Sequence, residues 1–153
     1  VQGAAAEVIE RLRRPGDPVS WVKRENLHFT LHFLGELGES GMGRAAEAAR
    51  EAAAEHRGFE AALGTAGAFP SPRRARVLRL GVSEDAEPLV ARAGTVEGSL
   101  VWGGVGPADW AFAAHLTLGR VRDQEAELGE RLGASTRESR VSRRSQASWS
   151  GWF

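Results

Sequence analysis

The feature that most constrains this chain is a motif that occurs twice. Asn26 to Gly35 reads NLHFTLHFLG, and Ala113 to Val121 reads AAHLTLGRV, with His-x-Thr-Leu common to both. In the first copy Leu27, Phe29, Leu31 and Phe33 alternate with His28, Thr30 and His32, which is the period of a half-buried β-strand. In the second copy His115 and Thr117 share one face while Leu116 and Leu118 take the other. Each segment therefore offers an imidazole beside a hydroxyl on an apolar support. Two such strands facing each other make a symmetric polar site.

Length and composition bound the rest. At 153 residues the chain fits one ordinary domain or two small lobes that share a core. Lys+Arg and Asp+Glu balance at 20 each, so no global field draws nucleic acid and any RNA contact must come from a local patch. The absence of cysteine removes disulfides, thiolate catalysis and Cys-based zinc sites. No apolar run is long enough to span a bilayer and nothing resembles a signal peptide, so the expectation is a cytoplasmic monomer with no membrane partner.

Along the chain, Ala5, Val8, Ile9 and Leu12 follow a helical period, Gly16-Asp17-Pro18 marks a turn, and Val19 to Val22 reads as a short strand before the first motif. Ser40 is placed to cap a helix with a stripe of Met42, Ala45, Ala46, Ala49 and Ala52 or Ala53. Phe59 to Gly64 alternates as a strand, Pro70-Ser71-Pro72 forces a loop, and Val77 to Val82 is the antiparallel partner. A helix weakened by Gly94 and Gly98 is expected after Ser83, and another after Asp123. The pattern is α+β, with the motif recurring at corresponding places in two halves. Residues 1–134 read as the domain, and residues 135–153, rich in Ser and Arg, as a poorly ordered tail.

Paired His-x-Thr strands suit in-line displacement at phosphorus. Imidazole titrates near neutrality, so one histidine can take a proton from the attacking water while its twin gives one to the leaving oxygen. Threonine hydroxyls can donate to the non-bridging oxygens as charge builds, and no metal or other cofactor is required. A single His-x-Thr is ordinary sheet; the repeat gives it weight, using two of the four histidines in the chain. His28 and His32 also invite a zinc reading, but on an extended strand their Cα atoms stand roughly 13 Å apart. His56 fits a helix C-terminus. Arg73, Arg74, Arg76 and Arg79 form a basic run that is either a solvated face or a phosphate contact. Strict alternation turns Arg120 away from His115 unless a bulge at Gly119 brings it round. Phe112, Trp110 and Trp102 can stack on a base or pack in a core.

The paired HFTL and HLTL resemble the two HxTx signatures of the 2H phosphoesterases. Within that superfamily NLHFTLHFLGEL, GAFPSPRRARVLRLGV and HLTLGRV together resemble the RNA 2′,3′-cyclic phosphodiesterases, once called 2′-5′ RNA ligases. The resemblance implies a bilobal, pseudo-twofold α+β fold of antiparallel sheets with flanking helices, one HxTx strand per lobe facing a central cleft. It also implies His28 as proton donor, His115 as proton acceptor, Thr30 and Thr117 as phosphate ligands, and a terminal 2′-phosphate as product. Arg120 and Phe112 are the further substrate contacts expected, and the partner is an RNA or nucleotide ending in a 2′,3′-cyclic phosphate.

The chain departs from the family pattern in three places. The family's opening apolar strand is expected to be missing, which leaves a sheet edge exposed. Ala114 stands where proline commonly precedes the second motif. Glu138-Ser139-Arg140-Val141 resembles a family signature without its flanking apolar strands. The alternative to a metal-independent phosphodiesterase is an RNA-end binding module that keeps the motifs without turnover.

Overall fold

A computed structural model describes residues 1–83 and 86–122. The elements run α1 (Gln2–Leu12), β1 (Val19–Trp21), α2 (Glu39–Ala54), β2 (Leu63–Phe69), β3 (Val77–Val82), α3 (Glu87–Trp102) and β4 (His115–Val121), with a 3-10 turn at Arg24–Asn26 and another at Pro72–Arg74. The class is α+β, as the alternating helical and strand periods require. The four strands form one antiparallel sheet in the order β1-β4-β3-β2. The chain divides into two compact units. One comprises the described residues of 1–29, 60–85 and 115–147, and the other those of 30–59 and 86–114.

The first unit holds the sheet. Leu78 and Leu80 of β3 and Leu116 and Leu118 of β4 are buried, together with Leu27 and Val19. Against them lies α1, whose Ala5, Val8, Ile9 and Leu12 are buried at the spacing its sequence periodicity requires. The opposite side of β3 and β4 carries Val77, Arg79, His115 and Thr117, all half-buried. The sheet thus has an aliphatic side and a polar side.

The second unit is built on α2 and α3, with Ala45, Ala48 and Leu100 buried and Leu37, Val96 and Val105 packed on them. The buried stripe of α2 is Gly41, Ala45, Ala48 and Ala52. It is rotated from the stripe expected around Met42, which stands 60% exposed. The helix starts at Glu39 with Gly38 as N-cap, so Ser40 is inside it. His56 bonds Thr95 across the pair, Nε2 to Oγ1 at 2.9 Å, while the Thr95 hydroxyl donates to the Ala91 carbonyl at 3.1 Å.

Two strand boundaries differ from the sequence reading. β2 begins at Leu63 and not at Phe59, because Leu63 pairs with Val82, the last residue of β3. Just before Leu63 the Ala62 carbonyl accepts from the Ser83 amide at 3.0 Å. In the first motif only Phe29 pairs, through a single bridge to Leu116. The cause is the length of β4: β1 already pairs with Gly119 to Val121, and the Val22 amide donates to the Leu118 carbonyl at 2.9 Å. Only the start of β4 is left for the motif.

Among the described residues no helix is long and apolar enough to cross a membrane. The expected helix after Asp123 and the tail from residue 135 lie outside the described residues.

Candidate active site

The bridge between Phe29 and Leu116 decides which side chains meet. Phe29 packs on the core with Leu116, so the flanking His28 turns to the other side of the chain. Leu116, the partner of Phe29, stands between His115 and Thr117 on β4. Thr30, one residue beyond Phe29, is exposed and opens the second unit.

Local contacts orient His28. Its Nδ1 is 2.8 Å from the carbonyl oxygen of Asn26. A carbonyl only accepts, so Nδ1 carries the hydrogen and Nε2 is the atom free to exchange a proton. The segment just ahead of it is tied to α1: the Gln2 side-chain amide donates to the carbonyl of Leu27 at 3.1 Å and to that of Glu25 at 3.4 Å. Sequence reading missed Gln2, because its partners are backbone atoms 23 and 25 residues away. His115 sits edge-on to Phe69, ring centroids 5.4 Å apart and planes at 75°.

Arg120 reaches the polar side by way of a bulge. Leu78 pairs with Gly119 and Arg79 with Thr117, so Leu118 is an extra residue on β4. Beyond the bulge, alternation restarts one residue out of step, and Arg120 pairs with Val77 on the side that also carries Arg79 and Thr117. Phe112 is half-buried in the segment before β4 and belongs to the second unit, where Trp102 and Trp110 are exposed. His32 is also in that unit.

Gly119 is what allows the bulge to lie flat against β1. A Cβ there would stand 2.8 Å from Val19 Cγ1, 3.2 Å from the Ser20 carbonyl oxygen and 3.3 Å from Trp21 Cε3. Gly119→Ala is therefore expected to cost about 1–3 kcal/mol by overpacking. A Val19→Ala change in the same chain should return part of that cost, because it removes the nearest atom. Denaturant melts of the two single variants and the double form the cycle that checks this; additive losses would contradict it.

The chain is similar to known proteins over most of its length. The family described as LigT-like phosphoesterase matches residues 1–78. A protein of Methanothermobacter thermautotrophicus named RNA 2′,3′-cyclic phosphodiesterase is 35% identical over 143 residues, covering 90% of this chain and 77% of the relative. One of Archaeoglobus fulgidus with the same name is 38% identical over 121 residues, covering 79% of this chain and 66% of the relative. The crystal structure of Escherichia coli LigT complexed with 3′-AMP superimposes with a TM-score of 0.61 at 26% identity, covering 78% of this chain and 65% of that one. The chain thus spans about two thirds to three quarters of the length of these relatives.

Proposed function

The chain belongs to the LigT-like phosphoesterase family of the 2H superfamily, and we propose that it hydrolyses RNA 2′,3′-cyclic phosphate ends to 2′-phosphomonoesters by paired-histidine catalysis that needs no metal. The observation that carries this reading is the Phe29–Leu116 bridge, which aligns one His-x-Thr segment antiparallel to the other. The names of the relatives and the 3′-AMP held by LigT support a nucleotide phosphate as ligand.

His115 acts as base and His28 as acid. Water attacks phosphorus while His115 takes its proton. The bond from phosphorus to the 3′ oxygen breaks, and His28 delivers the proton from Nε2 to that oxygen, leaving a 3′ hydroxyl and a 2′-phosphomonoester. Its Nδ1 stays bonded to the Asn26 carbonyl throughout, so the ring need not turn between proton states. Thr117 donates its hydroxyl to a non-bridging oxygen. Arg120 compensates the phosphate charge.

Turnover of adenosine 2′,3′-cyclic phosphate and of oligonucleotides with cyclic ends, in excess chelator, tests the proposal. The expected product is the 2′-phosphate. One histidine must be neutral and the other charged, so the rate should rise and then fall with pH, both limbs reporting the pair and not either residue alone. Chelator-sensitive turnover or a 3′-phosphate product would overturn the mechanism. Binding of the ends without turnover would replace it with an RNA-end binding module.

A further inference from the structure

Besides Arg120, the polar side of the sheet holds a second arginine. Arg79 stands on β3 directly opposite Thr117. Its guanidinium lies over the Phe69 ring, Cζ 4.6 Å from the centroid, and the same ring meets His115 edge-on. The side chain lies flat across two glycines. A Cβ at Gly67 would be 3.7 Å from Cζ, Nε and Nη2, and one at Gly81 would be 3.5 Å from Nη1. Gly81 is in turn paired with His115, so the guanidinium extends from the Thr117 row toward the His115 row.

That placement is costly in the free protein. Nε is shielded from solvent and has no hydrogen-bond partner among the described residues. Among the described residues no carboxylate answers the charge either; the ion pairs there are Arg11–Glu7, Arg13–Glu10 and Arg50–Glu47. An orphaned buried donor is unfavourable, more so when it belongs to a charged group, and the contact with Phe69 offsets only part of that. A half-buried arginine that shares the Phe69 ring with His115, and whose Nε lacks an acceptor among the described residues, is the arrangement an anionic ligand completes.

We propose that Arg79 and Thr117 form the anion subsite of this chain, and that Arg79 holds the 2′-phosphomonoester product more tightly than the cyclic diester from which it forms. The proposal rests on the reading of the site as a cyclic phosphodiesterase. The diester carries one negative charge, whereas a phosphomonoester approaches two above its second ionisation, near pH 6. Arg79 is fixed between Phe69 and the two glycines, so it meets that charge without reorganising. Product release is then the step Arg79 slows.

The test is calorimetric titration of adenosine 2′-phosphate into the wild-type chain, Arg79→Met and Arg79→Lys, with adenosine titrated in parallel and a thermal melt of each variant. Arg79→Met should weaken adenosine 2′-phosphate roughly ten- to hundredfold, the loss of a charge-assisted bond. Adenosine binding should change little, and Arg79→Lys should recover part of the affinity. The loss should be larger at pH 7.5 than at pH 5, where the phosphate carries less charge. Equal binding by wild type and Arg79→Met, or an equal loss for adenosine, would overturn the subsite. If that happened while the wild type still hydrolysed the cyclic nucleotide, the reading of the reaction would stand. A wild-type chain that neither hydrolyses the cyclic nucleotide nor binds the 2′-phosphate would bring down both.

Discussion

His28→Ala and His115→Ala should each lower kcat for 2′,3′-cyclic nucleotides by roughly 10²–10⁴-fold, the usual worth of one positioned proton-transfer group. Stability should hardly respond to the first. His28 is exposed, and its Nδ1 contact to Asn26 spans only two residues, so the loss belongs with surface substitutions, within about 0.5 kcal/mol. His115 is half-buried and also touches Phe69, so its removal should cost somewhat more stability. The double variant should be about as slow as the slower single one, because an acid without its base has little left to do. Steady-state kinetics beside thermal melts decide the matter. Full activity in either single variant would remove that histidine from the mechanism.

The reach of sequence reasoning in this chain follows the range of the interactions involved. Alternation of Leu27, His28 and Phe29 needs only the period of an extended backbone, and the structure follows it, with Leu27 and Phe29 toward the core and His28 exposed. The helix of Ala5, Val8, Ile9 and Leu12 and the strand Val77–Val82 were legible for the same reason. What periodicity cannot carry is competition for a partner. The first motif reads as a full strand, yet β1 has already taken the far end of β4, and a single bridge remains. Arg120 shows the limit most clearly. Strict alternation turns it away from Thr117, and only the pairing of Leu78 with Gly119 and of Arg79 with Thr117 reveals the extra residue that turns it back. Arg79 lay in plain view within a basic run. Its orphaned Nε and its seat on Phe69 exist only once β2 and β3 are paired.

Leu118→Ala should be the most damaging single truncation on β4. Leu118 is fully buried at 0% exposure, at the extra position of the bulge, between the motif Thr117 and Gly119. The core around it is rich in alanine: Ala5 and Ala66, Ala68 and Ala75 belong to the same buried cluster. Alanine has no rotamers with which to fill a gap, so the cavity left by the missing carbons should persist and the loss should lie toward the upper part of about 2–5 kcal/mol. Against a total stability of about 5–15 kcal/mol for a domain, such a loss is large enough to populate the unfolded chain at growth temperature. The chemistry should nevertheless survive in the molecules that remain folded. The main-chain carbonyl of Leu118 still accepts from Val22, so β1 stays docked and Arg120 keeps its side of the sheet. Denaturant melts together with kcat per folded molecule test both halves. A stability change below about 1 kcal/mol would show that the core can collapse around the gap. A fall in kcat matching that of the histidine variants would instead mean that the Leu118 side chain, beyond supporting the sheet, sets the position of Thr117 and His115.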